Sequence, residues 1–154
     1  MTNPLLQDYI YFAGLFDGEG CISKNSALKQ VIYLQIIMVD KIVIDWLFKK
    51  FGGSYYLFNR KNRGINEKPT HHWKLTNVDK IIPLLENIIP YLILKKNRAI
   101  LALQLCYLVQ KSKHSFGIKI SQEEYELRSE IIKKIKMENQ RLQKIEVDLS
   151  EYFS

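Results

Sequence analysis

Residues 12–20, FAGLFDGEG, constrain this chain more than any other stretch. They run an apolar, small-residue segment straight into two acids, Asp17 and Glu19, separated by one glycine. Upstream, Asn3 suits an N-cap, Pro4 the first helical position and Gly18 the position past the last turn, so a helix over about residues 4–17 is expected. Leu5, Leu6, Tyr9, Ile10, Phe12, Ala13, Leu15 and Phe16 surround that helix almost completely, which requires burial on more than one side. At its middle, Ala13 and Gly14 let a second backbone come close. A contact of that kind joins two helices and sets the acids at the foot of the joint. Carboxylates at a helix end flanked by glycine leave room for a divalent cation between protein and phosphate.

The segment that follows alternates as a half-buried sheet does. In residues 31–40, Ile32, Leu34, Ile36 and Met38 share a core face, and Tyr33, Gln35, Ile37 and Val39 share the other. The preceding strand carries Ser23 and Asn25 opposite Ile22, and the turn over residues 26–29 lacks a two-residue hairpin signature, so a long hairpin is expected. Residues 41–51 read as a short helix stopped by Gly52 and Gly53. Strands over residues 54–60 and 71–76 then flank the loop KNRGINEKPT. In the second of these, Trp73 and Leu75 point one way and His72, Lys74 and Thr76 the other; in the first, Tyr55, Leu57, Asn59 and Lys61 are expected outward. Helices are expected over residues 78–87, 98–111 and 121 to about 145, the last opened by the capping-box pair Ser121 and Glu124.

A twisted sheet with one polar face rimmed by cations suits the DNA major groove, which admits a β-ribbon and displays distinguishable base edges. Gln35, Asn25 and Asn59 can donate and accept at adenine, and Lys74 and Lys61 can reach guanine acceptors or phosphates. Ile37 or Val39 can touch a thymine methyl, with Ser23, Tyr33 and His72 on the same face. Composition points the same way. A formal net charge of +7 favours a polyanionic partner over an acidic small-molecule pocket. At 154 residues with one copy of the acidic motif and no internal repeat, a single domain is expected. The apolar run at residues 81–94 is broken by Pro83, Glu86, Asn87 and Pro90, so no membrane partner is expected. Residues 1–14 lack a basic n-region and a small-residue cleavage site, and Cys21 and Cys106 lack metal-type spacing. Those features suit a reduced, intracellular protein. Heavy use of Ile, Lys and Asn suggests an A·T-rich genome, that of an organelle (mitochondrion or chloroplast) or of a bacterium, with the bacterial cytoplasm as the compartment.

FAGLFDGEG resembles the LAGLIDADG motif of homing endonucleases, matching at Ala13, Gly14, Leu15, Asp17 and Gly20, with Phe12, Phe16, Gly18 and Glu19 as tolerated replacements. The order of elements is similar to the single-motif group over nearly the whole chain. The resemblance implies an α+β fold, αββαββα, with a curved antiparallel four-stranded DNA-binding sheet and C-terminal helices. One domain would span residues 1–154: motif helix about 4–17, sheet and helix core about 20–95, C-terminal helices about 96–147. The implied activity is that of an intron-encoded, site-specific endonuclease that hydrolyses both strands of a long pseudo-palindromic double-stranded DNA target, leaving 3′ overhangs. It would use Mg2+, with Mn2+ or Ca2+ able to substitute for binding, and no organic cofactor.

By the same resemblance Glu19 and the Gly18 carbonyl hold the metal, and Lys95, placed by the segment Pro90-Tyr91-Leu92, assists as a catalytic cation. Asp40, six residues before Trp46, is implied to order the water network, and Ile44 stands where some relatives carry an arginine. Because one motif supplies half a site, a homodimer is implied, joined through Phe12, Ala13, Gly14, Phe16 and Asp17. The same fold also serves non-cleaving DNA-binding proteins and intron RNA maturases. The joint presence of Asp17, Glu19 and Lys95 favours the enzyme.

Overall fold

A computed structural model describes residues 3–25, 30–59, 68–113 and 120–144. Helix α1 (Leu6–Glu19) leads into the hairpin β1 (Gly20–Asn25) and β2 (Val31–Met38). Then come α2 (Lys41–Phe51), β3 (Ser54–Phe58), β4 (Thr70–Leu75), α3 (Val78–Ile88), a 3-10 turn (Ile89–Tyr91), α4 (Lys96–Lys113) and α5 (Gln122–Lys144). This is the expected α+β order, αββαββα followed by C-terminal helices. The expected hairpin turn over residues 26–29 lies outside the described residues.

Helix α1 is shifted from its expected bounds at both ends. Asp8, at its third position, accepts the Leu5 N–H at 2.8 Å, so this carboxylate sets the start, two residues later than Asn3 and Pro4 suggest. Lys50 reaches the same oxygen at 2.9 Å, and the two bonds hold the Asp8 carboxyl below its ordinary acidity range, the Leu5 N–H being the larger cause. At the far end the Gly20 N–H bonds the Phe16 carbonyl, which keeps Gly18 inside the last turn rather than beyond it. Gly20 must be glycine for a packing reason, since any Cβ there would run into the Phe16 ring.

The four strands lie in the order β1-β2-β4-β3, every pair antiparallel. The register aligns Ile22, Leu34 and Leu75 in one row and Gly20, Ile36 and Trp73 in the next. These residues face the helices. Phe12 and Phe16 from α1, Ile44 and Leu47 from α2 and Ile81, Leu85 and Ile88 from α3 fill the other side of the core. Each fully buried side chain contributes about 1.5–3 kcal/mol of burial. Phe12 sits in an aromatic cluster with Phe16, Phe51 and Trp73, ring centroids 5.0–5.7 Å apart. The Trp73 indole donates to the Gly52 carbonyl at 2.7 Å, so its one polar atom is satisfied inside the core. Gly53, at φ +93°, lies against the Lys74 carbonyl with no room for a Cβ. Helix α4 packs against α3 and α5, and Ala99, Ala102, Leu105 and Cys106 of α4 and Ile131, Ile132 and Ile135 of α5 belong to the same buried cluster. A Gln30 to Ser129 hydrogen bond of 2.8 Å ties α5 back to the hairpin.

One strand departs from the expected alternation. Tyr56 pairs with His72, so Ser54, Tyr56 and Phe58 lie on the outer face while Tyr55 and Leu57 alternate with Trp73 and His71 toward the helices. Every residue of β3 is exposed, because it is the edge strand. With four aromatic or aliphatic residues in succession, its sequence carries no period to fix the register. Among the described residues, no helix is long and apolar enough to cross a membrane.

Candidate functional site

The acidic end of α1 separates its two carboxylates into different jobs. Both oxygens of Asp17 are occupied by the main chain: Oδ2 accepts the N–H groups of Ile93 (2.6 Å) and Leu94 (3.2 Å), and Oδ1 that of Lys95 (2.9 Å). These N–H groups open the approach to α4, so Asp17 caps that helix from 76–78 residues away. The Lys95 ammonium folds over and donates to the main-chain carbonyl of Asp17. Lys95 is buried, and burial pulls its ammonium below the ordinary lysine value; Arg98 adds to that, against opposing pulls from Asp17, Cys21 and Glu19.

Glu19 differs in every respect. It is exposed at the last position of α1, beside Gly18, whose carbonyl is among the last four of the helix and has no partner within it. Glu19 and the Gly18 carbonyl are hard oxygen donors of the kind a divalent cation takes. Among the described residues, no group of three or more His, Cys, Asp or Glu side chains is gathered for a metal. Asp17, already spent on N–H groups, has no oxygen left over beside them.

Asp40 stands apart. It precedes α2 as its N-cap residue with an exposed carboxylate, and among the described residues no hydrogen bond or ion pair links it to Glu19 or Lys95. Arg98, absent from the sequence reading, is instead the basic residue gathered here. It lies three residues after Lys95 on α4, buried, within electrostatic reach of Asp17 and Cys21. The i, i+3 spacing from Lys95 is the signal that points to it.

The expected homodimer seam needs correction. Phe12, Ala13 and Phe16 are fully buried in this chain's own core and have no surface left for a second copy. Asp17 is committed to α4. Of the five expected residues, Gly14 alone is exposed, and it lies on a different stripe of the helix: Leu6, Ile10, Gly14 and Gly18, spaced by four, all open to solvent. A Cβ added at Gly14 or Gly18 would meet nothing within 4 Å. Beside this stripe Ile93 and Leu94 are exposed at 85% and 59%.

On the outer sheet face the register brings Cys21, Gln35, Lys74 and Ser54 into one row and Ile37, His72 and Tyr56 into the next. Ser23 and Tyr33 form another pair, and Asn25 closes β1 opposite Val31. Ser23, Asn25, Tyr33, Gln35, Ile37, His72 and Lys74 thus share one face. Lys74 holds its ammonium 3.8 Å from the centre of the Tyr33 ring. Asn59 lies beyond the end of β3 and is exposed, without a place in the strand register, and Tyr56 and Phe58 are the β3 residues beside Ser54 on this face. Lys61 lies outside the described residues.

This architecture is the LAGLIDADG homing-endonuclease fold. The homing endonuclease I-CvuI, solved in complex with its target in the presence of calcium, aligns with a TM-score of 0.65 at 17% identity, over 86% of this chain and 82% of its own. The archaeal intron-encoded homing endonuclease I-Vdi141I, solved with DNA, gives a TM-score of 0.63 at 13% identity, over 86% of this chain and 84% of its own. I-SmaMI aligns at 16% identity with a TM-score of 0.57, 86% of this chain matching 46% of that one. No family model and no curated protein matches the chain in sequence.

Proposed function

We propose that this chain is a site-specific homing endonuclease that works as a homodimer and hydrolyses both strands of a long, nearly palindromic DNA duplex with a divalent cation, Mg2+ in the first place. The observation that carries the reading is the split at the end of α1: Asp17 is consumed in holding α4, while Glu19 on the same turn is exposed and makes no hydrogen bond or ion pair among the described residues. Two exposed acids would suit a solvated helix stop. One anchored and one free suit a fixed structural post beside a metal ligand.

Glu19 and the Gly18 carbonyl would hold the ion. Bound there, a divalent cation supplies a Lewis acid that activates water and steadies the leaving oxygen. Lys95, fixed against the Asp17 carbonyl, sets a cation where negative charge develops on the phosphate. Arg98, within electrostatic reach of Lys95, adds a second positive charge.

Two copies would meet along the exposed stripe of Leu6, Ile10, Gly14 and Gly18, where the glycines admit close backbone approach, with Ile93 and Leu94 at the flank. The match to less than half of the I-SmaMI chain supports a paired arrangement. The pair would place two Glu19 residues over one minor groove and two polar sheet faces in the flanking major grooves, with a net charge of +7 per chain favouring the polyanion. Expression from an intron in an organelle or bacterium is part of the same proposal.

The decisive experiment incubates the purified protein and Mg2+ with duplex DNA carrying the uninterrupted insertion site of its reading frame. Wild type should cut, and Glu19→Gln should lower cutting by roughly 10³-fold or more while leaving binding intact. A protein that binds that DNA and never nicks it would be a non-cleaving binder; one that instead promotes splicing of its host RNA would be a maturase.

A further inference from the structure

The outer sheet face contains a side-chain network built around its central amide, with the amide nitrogen turned inward. Gln35 Nε2 donates to the Tyr56 hydroxyl at 2.8 Å and lies 3.3 Å from His72 Nδ1. On the other side of the ring, His72 Nε2 is 2.9 Å from Thr70 Oγ1. The Tyr56 ring packs on the imidazole with centroids 4.6 Å apart, and Phe58 closes the far side at 5.8 Å. A glutamine amide has two N–H groups and one oxygen, so both donors are used within the network. Its Oε1 meets no hydrogen-bond donor among the described residues.

We propose that Gln35 reads its base pair purely as a hydrogen-bond acceptor, through Oε1, and that Tyr56 supplies the matching donor. The Tyr56 hydroxyl accepts from Gln35 and keeps its own proton for an outside acceptor. The chemistry that fits is an exocyclic amino group beside a ring nitrogen or carbonyl oxygen in the major groove. Adenine offers it with N6 and N7, and cytosine with N4 next to its partner's O6. Guanine and thymine beneath Gln35 would set acceptor against acceptor. This inference rests on the duplex-binding reading and adds to it the polarity of one contact.

The wiring is reversible in one defined way. With the amide nitrogen turned toward it, a neutral His72 ring accepts at Nδ1, which leaves its proton on Nε2 facing Thr70 Oγ1. A protonated ring carries N–H at both nitrogens, so Nδ1 can no longer accept. The amide must then turn its oxygen inward to His72 and Tyr56, presenting its NH2 to the groove and inverting the preference. Around His72, β2 contributes uncharged Gln35 and Ile37, and β3 contributes Tyr56 and Phe58. Along β4 stand Thr70, the titratable neighbour His71 and the cation Lys74. Burial first, and His71 second, hold the ring below the ordinary histidine value of 6.5, so the acceptor polarity prevails at neutral pH.

The test is selection of bound duplexes from a randomised library by the full-length protein at about pH 8 and at the lowest pH at which the fold persists, well below the ordinary histidine value of 6.5. Wild type, Gln35→Ala and His72→Phe are compared, with circular dichroism confirming the fold at each pH. The position that loses its preference in Gln35→Ala should favour adenine or cytosine by about tenfold at the higher pH. At the lower pH it should swing toward guanine or thymine, and His72→Phe should abolish the swing. Guanine or thymine preferred at that position at about pH 8, no position responding to Gln35→Ala, or a preference unmoved by pH in wild type would each overturn the assignment. If wild type enriches no sequence at either pH, the duplex-binding reading itself falls.

Discussion

The end of α1 and the outer face of the sheet use polar side chains in opposite ways. At the helix end, Asp17 and Lys95 bond to main-chain atoms, so their positions follow from the fold and no neighbouring side chain can substitute for them. On the sheet, Gln35, Tyr56, His72 and Thr70 bond to one another, so replacing one rewires the others and leaves the backbone alone. In the proposed endonuclease, phosphodiester chemistry is the same at every target and needs a fixed frame. Reading bases differs from target to target and needs exchangeable parts. The contrast thus lies in what each site is anchored to, rather than in how many charges it holds.

The sharpest way to break that contrast is Asp17→Ala, which strips three N–H groups at the approach to α4 of their acceptor. Stability should fall by about 2–4 kcal/mol, whereas Gln35→Ala should stay within about 0.5 kcal/mol of wild type. Denaturant unfolding measures both. Equal losses would show that the sheet network is structural after all.

Next in size is Gly14→Leu. The open space around Gly14 lets one chain accept the side chain, and replacing a helical glycine should keep or raise stability by up to about 1 kcal/mol. Self-association should weaken by about 1–3 kcal/mol through overpacking at the seam, read by sedimentation equilibrium. Undisturbed association would move the seam elsewhere. Lys74→Ala comes after it: a change on the order of 1 kcal/mol confined to one base pair assigns the ammonium to base reading. A uniform loss with a shallower salt dependence assigns it to phosphate.

The smallest expected effect is in the pH dependence of stability. Because His72 is held below its unfolded value, the unfolded chain binds the extra proton first. Stability should therefore decline as pH drops from about 6.5 toward the folded value and level off beneath it. In His72→Phe that part of the slope should vanish from a series of melts across the range.

Much of this was legible in the sequence. The alternation of Ile32, Leu34 and Ile36 gave the core face of β2, and Trp73 and Leu75 that of β4, because hydrophobic period and burial coincide there. The order of elements followed from the Gly and Pro punctuation between them. Three features were not legible. The residues YYLF of β3 have no period, so only pairing with β4 could place Tyr56 outward and Tyr55 and Leu57 inward. Helix α1 is apolar on nearly all sides, so its own residues do not say which stripe meets the core and which is left open. The third concerns partners far apart in the chain: nothing local to Asp17 announces that its acceptors will be claimed by residues 93–95.

That last bond set orders events in time. During synthesis the amino-terminal helix and hairpin emerge and begin to fold first. Yet the three N–H groups that seize Asp17 arrive only 76–78 residues after it. Until then Lys95, whose ammonium donates to the Asp17 carbonyl, is absent from the end of the helix. A prematurely terminated product ending before residue 93 would retain the whole acidic motif and still lack the frame that aims it.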